Sequence, residues 1–253
     1  NGAPMGAEIS PGPAQFTLSL TTANAVDRVE FLKDNILEKM IVHSGTWERQ
    51  PLPGRFAFKF EVEFGWGPET RLFPDAALKV WEGSLQVPGH LMGVEKLWNS
   101  FGQQILEWRD DRCDFRLTTH RGTETGKWMG PSQVRRESLV FEVEGGIDDV
   151  LTLTVDGEQY ALPVRMLLQG TRIYAQYSQC ERRIIKKFGP TPHYRDDFIW
   201  HCAFKFRVRR AVPSPAYTLN ESFTTTLDAG SQYRLRVWLK NGDAAWTSPI
   251  FCR

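Results

Sequence analysis

The side chains best equipped for chemistry are spread thinly along this chain. Five histidines stand at 43, 90, 120, 193 and 201, and none falls in an HxH, HExxH or HxxxH arrangement that would bring two imidazoles to one metal ion. Folding can still gather His120, His193 and His201 with Asp196 and Asp197, but no spacing requires it, and His201 reads equally as an occupant of the polar face of a strand. Adjacent carboxylates at Asp110-Asp111, Asp148-Asp149 and Asp196-Asp197 have the type needed to ligate a hard cation or to divide acid and base roles. Neighbouring side chains diverge, however, so each pair reads first as a solvated loop or an Asx turn. Cys113, Cys180, Cys202 and Cys252 make no CxxC pair and no zinc-type spacing with histidine. Buried free thiols are their first reading and two disulfides the second. No GxSxG elbow nominates a nucleophilic serine, and no GxxxxGK[ST] or GxGxxG loop follows a strand. Gly65-Trp66-Gly67 and Gly145-Gly146 fit turns or bulges that need positive φ. Arg182, Arg183, Lys186 and Lys187, interrupted by Ile184-Ile185, read as a solvated face first and an anion patch second. These residues nominate no catalytic group, no metal ligand and no cofactor.

Binding is the better-supported chemistry. Nine tryptophans are present, and aromatic faces stack on sugar rings and other flat ligands. Trp66, Trp81, Trp98, Trp108 and Trp128 fall in the middle of the chain, outside its cleanest core strands. Trp238 alternates with Arg234 and Arg236 on the side of its strand opposite Tyr233, Leu235 and Val237. Trp66, Trp81, Trp238, Arg234 and Arg236 are therefore the candidate ligand-binding residues, with a glycan as the candidate ligand. The competing reading has each tryptophan covering a second sheet or a seam between domains.

The elements that must position these residues are strands. RFAFKFEVEF, from Arg55 to Phe64, puts Phe56, Phe58, Phe60, Val62 and Phe64 on one face and Ala57, Lys59, Glu61 and Glu63 on the other. That period of two predicts a sheet with one buried and one wet side. The pattern returns at Trp200, Cys202, Phe204, Phe206 and Val208, and at Tyr233, Leu235, Val237 and Leu239. Val26 to Leu32 and Ile36 to Val42 flank Asp34-Asn35 and read as a hairpin; Asp156-Gly157 and Asn241-Gly242 mark two further hairpin turns. Two stretches compete. Val94, Leu97, Trp98, Phe101 and Ile105 recur at helical spacing, and Pro163 with Gly170 brackets one or two helical turns. The expectation is an all-β protein of antiparallel β-sandwich type with one or two short helices. Residues 15–64 and 204–253 share a style of long strand that the middle lacks, which suggests a discontinuous module carrying a β-rich insertion, 65–203, with 1–14 as a Gly/Pro/Ala-rich linker or tail.

With 253 residues, 41% hydrophobic and 24% charged, the chain is long enough for one large or two smaller β domains. A net charge of +1 lacks the basic footprint of nucleic-acid binding. No apolar run approaches the roughly 18 residues of a membrane span. No nucleic-acid or membrane partner is expected.

Several segments carry a resemblance. Pro4-Met5-Gly6-Ala7-Glu8 and Val26 through Asn35 resemble the segment that follows the catalytic domain in large bacterial metallohydrolases of the PHP (polymerase and histidinol phosphatase) type. Tyr233-Arg234-Leu235-Arg236-Val237 and Ala245 through Phe251 are similar to the closing strands of those proteins. Phe64-Gly65-Trp66-Gly67 and Trp81-Glu82-Gly83-Ser84-Leu85 look like the β-rich middle of some members. The family's catalytic domain brings clustered metal-binding histidines and acids, beginning with an HxH motif, and this chain has none, so no catalytic residue carries over. The resemblance implies a non-catalytic C-terminal accessory region, without activity in this chain alone, that packs on a catalytic domain or protein partner and shapes access to its cleft. A lectin-like, carbohydrate-binding sandwich with exposed tryptophan platforms is the alternative.

Overall fold

The computed structural model describes residues 3–97, 102–121, 134–190 and 196–253. The chain divides into two compact units, residues 1–53 with 212–253, and residues 54–211. The first unit opens with β1 (Glu8–Ile9), β2 (Gly12–Thr21), β3 (Val26–Lys33) and β4 (Ile36–Val42). The second contains β5 (Arg55–Trp66), β6 (Leu78–Gln86), β7 (His90–Leu97), β8 (Gln103–Trp108), β9 (Arg112–Arg121), β10 (Val134–Arg135), β11 (Glu137–Gly146), β12 (Val150–Val155) and β13 (Glu158–Pro163). It continues through α1 (Val164–Gln169), β14 (Arg172–Ala175), α2 (Tyr177–Phe188), α3 (Asp196–Cys202) and β15 (Lys205–Val208). The first unit resumes with β16 (Val212–Pro213), α4 (Ser214–Tyr217), β17 (Thr218–Leu227), β18 (Gln232–Leu239), β19 (Ala244–Trp246) and β20 (Ile250–Cys252). The molecule is mostly β, with multiple antiparallel sheets, and the described residues hold more short helices than the one or two expected.

In the first unit a large sheet in the order β1-β20-β18-β3-β4, with β19 on β18, faces the two-stranded β17-β2 sheet. Lys33 and Ile36 close the β3–β4 ladder, and between them Asp34 and Asn35 take φ of 50° and 68°. This is the two-residue, positive-φ hairpin whose handedness suits twisted strands. At the other predicted turn Leu239 N–H donates to the Asp243 carbonyl, so the loop is the three residues Lys240 to Gly242, with Gly242 at φ 94°. Phe16, Phe31, Phe223 and Tyr233 pack between the two sheets, with ring centroids 4.8–5.6 Å apart.

The second unit pairs the sheet β14-β15-β5-β11-β7 with the sheet β10-β9-β6-β12-β13, to which β8 adds on β9. β5 and β11 pair without interruption from Arg55↔Gly146 to Phe64↔Glu137. Phe64 lies 5.2 Å from Trp81 and 5.9 Å from Phe115 across the two layers, and Phe141 lies 6.0 Å from Phe115. All are fully buried, and each such ring is worth about 1.5–3 kcal/mol of apolar transfer. Gly83 fits this interface because a Cβ there would meet the Phe115 ring at 2.5 Å and the Thr154 carbonyl at 2.7 Å. Gly65, at φ 136°, is an extra residue on β5 where Trp66 pairs with Lys205 and Phe64 with Phe206, a bulge of the expected kind.

Four expectations need correction. The polar face of β5 is not wet: Lys59, Glu61 and Glu63 are 3%, 9% and 4% exposed. Alternation assigned the faces correctly, but β5 is an interior strand with β11 and β15 on its two sides, and arginines and carboxylates of these neighbours neutralise its charges. The helical spacing at Val94 to Ile105 belongs to strands, since β7 runs to Leu97 and β8 begins at Gln103; Trp98 and Phe101 lie outside the described residues. Trp200 and Cys202 sit in α3, and only Lys205–Val208 of that predicted strand is extended. The short apolar run there satisfies either period, and pairing with β5 and β14 claims only its second half. The Phe strand itself lies in the 54–211 unit, held by β11 and β15, not in the outer module of 15–64 plus 204–253. The Pro163–Gly170 bracket does enclose a helix, with Pro163 as its N-cap and Gly170 as its C-cap.

Candidate functional site

The alternation of β18 splits its residues into two sets. Tyr233 and Val237 are buried in the sandwich core, whereas Arg234, Arg236 and Trp238 stand on the sheet's other face. Register with β3 sets Arg236 opposite Glu30 and Trp238 opposite Arg28, and β19 sets Trp246 opposite Arg236. Glu30 is buried and accepts from Arg28 Nε at 2.8 Å and from Arg236 Nη2 at 2.5 Å. Burial pushes this carboxyl upward, but the hydrogen bonds from Arg28 and Arg236 outweigh it and hold Glu30 below the ordinary glutamate value. The same two guanidiniums lie 5.1 and 5.3 Å from the centroid of Trp238. Trp246 meets Trp238 edge-on, centroids 6.5 Å apart, and is 57% exposed.

This face runs outward to β4, the edge strand, whose side chains are mostly in solvent. Met40 pairs with Glu30 and Val42 with Arg28, so both share the face of the arginine ladder. They are 48% and 54% exposed, and Ile36 and Leu37 at the hairpin end are 71% and 50% exposed. The result is a strip of alternating apolar, charged and aromatic side chains, rigid because each is seated on a hydrogen-bonded strand. It can stack a flat ligand or bury apolar surface of a partner; it offers no nucleophile with a base beside it.

A groove also opens in this unit. It has a volume of about 590 Å³ and is walled by β2, by Phe31, Tyr233, Leu235 and Val237, and by the segment Ala245 to Ser248. Arg234 borders it from β18, and its Nε is buried with no hydrogen-bond partner among the described residues.

The five predicted site residues do not form one site. Arg234, Arg236 and Trp238 come together on β18 in the first unit, and Trp66 and Trp81 belong to the second. Trp81 is fully buried, with Nε1 donating to Thr119 Oγ1 at 2.8 Å; as the knob between two sheets it has no face to offer a ligand. Trp66 is half-buried, with the guanidiniums of Arg136 and Arg207 at 5.0 and 5.1 Å from its centroid. Those arginines serve the buried face of β5. Glu63 pairs with Arg207, with Arg209 at 2.9 Å and with Arg136 at 3.4 Å, Glu61 pairs with Arg209 at 3.0 Å, and Lys59 pairs with Glu95 at 3.0 Å. Burial raises the Glu61 carboxyl above its ordinary value despite Arg209.

The remaining chemical groups have structural partners. Asp149 accepts from Gly146 N–H at 2.8 Å in a turn, Asp148 pairs with Arg165, and His90 Nδ1 lies 2.9 Å from Asp110. The cluster from Arg182 to Lys187 is on α2, which buries Cys180 and Ile184. All four cysteines are buried and free, and burial pushes the Cys113 thiol up to about 12 and that of Cys180 to about 11. Trp128, His193 and the side chains of Asp196 and Asp197 lie outside what the structure describes. Among the described residues no three of His, Cys, Asp and Glu are grouped to hold a metal ion, and no helix is long and apolar enough to cross a membrane. Sequence reasoning missed Arg28, Glu30, Met40, Val42 and Trp246. Neither turn signal gives their alignment, because the β3–β4 register shifts between Phe31 and Leu32 and the Asn241-Gly242 loop holds three residues. No family model, curated protein or solved structure matches the chain.

Proposed function

We propose that this chain is a non-catalytic β-sandwich accessory region of a larger metal-dependent hydrolase, packing on its catalytic domain. The observation that carries this reading is the β4 edge, where Ile36, Leu37, Met40 and Val42 are about half or more exposed on a strand that, among the described residues, has an unpaired side. Long apolar edges left open invite aggregation, so they are ordinarily blunted or covered. The likeness of the quoted strand and turn motifs to the C-terminal part of PHP-type hydrolases supports a catalytic domain as the cover. The test is association of this chain with the HxH-bearing domain encoded beside it, followed by sedimentation. Met40→Glu with Val42→Lys should weaken that association more than tenfold. An unchanged association, or a reading frame with no such domain, overturns the reading.

A second reading rests on Trp246, the most exposed tryptophan among the described residues, beside Trp238 and its two arginines. It makes the ladder a glycan platform. Binding on a glycan array that Trp246→Ala and Trp238→Ala abolish would support it; binding indifferent to both would exclude that platform.

A further inference from the structure

The small sheet of the first unit is short of a strand. Among the described residues β2 pairs with β17 alone, leaving the other edge of Gly12–Thr21 without a ladder partner. The core beneath the two strands is unequal. On β17 the inward residues Leu219, Phe223 and Leu227 are 7%, 7% and 2% exposed, whereas Phe16, Leu18 and Leu20 on β2 remain half-buried. The 590 Å³ groove occupies the missing place. Its lining takes every residue of β2 from Ala14 to Leu20, outward Gln15, Thr17 and Ser19 included, and none from β17. Only a channel running along the open edge touches both faces of one strand and misses its neighbour. Its floor is Phe31, Leu235 and Val237, and its far wall holds Ile9, Thr247 and Ile250.

We propose that this groove accepts an extended segment of a partner polypeptide as a third strand beside β2. A strand is favoured over an alkyl chain because it satisfies the open N–H and C=O groups of β2, which a hydrocarbon would bury unpaired. Seven residues at about 3.3 Å each give a run of roughly 20 Å, enough for three side chains of one face to fill the gap between Phe16, Leu18 and Leu20 and the floor. The charge pattern defines the occupant further. Arg234 borders the groove from β18 but its side chain stands on the other face of that strand, and among the described residues no other charged residue is in the lining. The segment therefore presents apolar side chains to the floor and carries no charge on that face. This inference concerns an edge other than β4 and stands apart from the accessory reading.

The test pans a displayed library of random nine-residue peptides on the 253-residue chain, then follows hydrogen exchange with the enriched peptides. Enriched sequences should alternate apolar residues, carry no charge on the apolar face, and slow exchange of the amides from Ala14 to Leu20. A proline in place of a central residue of the peptide, which removes a ladder donor, should weaken binding about tenfold. The proposal is overturned if no peptide is enriched or if enriched peptides leave β2 exchange unchanged. Displacement of the peptide by sodium dodecanoate at matched concentration would reassign the groove to an alkyl chain. Protection of β2 that rises with protein concentration alone would reassign it to a second copy.

Discussion

Glu63→Gln decides whether the second face of β5 is scaffold surface or buried circuitry. Glu63 is 4% exposed and its carboxylate serves Arg207, Arg209 and Arg136 at once. The amide is nearly isosteric, so the substitution removes charge while preserving volume. Breaking a fully buried ion pair by deleting one partner costs about 3–5 kcal/mol, because the other charge is stranded. Arg207 and Arg209 keep 23% and 34% of their side-chain exposure, so part of that penalty is relieved by water. The expected loss is about 2–4 kcal/mol, which for a unit of this size lowers the melting temperature by roughly 10 °C. Urea unfolding of the wild type and E63Q measures it, with Arg207→Gln and the double variant supplying the coupling energy. A wet face gives a change within about 0.5 kcal/mol and no coupling, and that result would refute the burial argument.

Gly83→Ala drives a methyl into the Phe115 ring at 2.5 Å and should cost about 1–3 kcal/mol, with Phe115→Leu recovering part of it; thermal melts of the three variants report this. Asn35→Gly should leave stability level or slightly raised, whereas Asn35→Val, at φ 68°, should lose about 1–2 kcal/mol by chemical denaturation. Acid should separate the two buried glutamates. The Glu30 carboxyl is held below its unfolded value, so its contribution is present above that value and disappears as pH falls through its lowered one. Glu61 is raised, so stability rises as pH falls through its elevated value toward 4.5. Denaturation midpoints against pH should therefore lose opposite slopes in Glu30→Gln and Glu61→Gln.

Local signals in the sequence were sound where one residue type forces one conformation. Asp34-Asn35 and Asp156-Gly157 turn the chain as read, and Phe56 to Phe64 face the core. Solvent exposure was less legible, because periodicity says which residues share a face and nothing about what lies over it. Lys59, Glu61 and Glu63 obey the same alternation whether water or guanidinium covers them. Trp81 fails as a platform for a similar reason, since a large ring at a strand position suits a core as well as a ligand. The Arg28, Glu30 and Arg236 cluster needed the register of β3 against the distant β18, and the groove beside β2 needed the count of strands in its sheet. Neither is a property of any short window of sequence.

The division of the first unit into residues 1–53 and 212–253 also sets a timetable. β3 cannot pair with β18 until Tyr233 has been made to meet Lys33. At about 5–20 residues per second this leaves β3 waiting roughly 10–40 s during synthesis, time in which the 54–211 unit emerges whole. The early β3–β4 hairpin spends that interval with Val29, Phe31 and Leu32 uncovered. In the cell, chaperone capture should therefore concentrate on residues 26–42 of the nascent chain and end when β18 arrives.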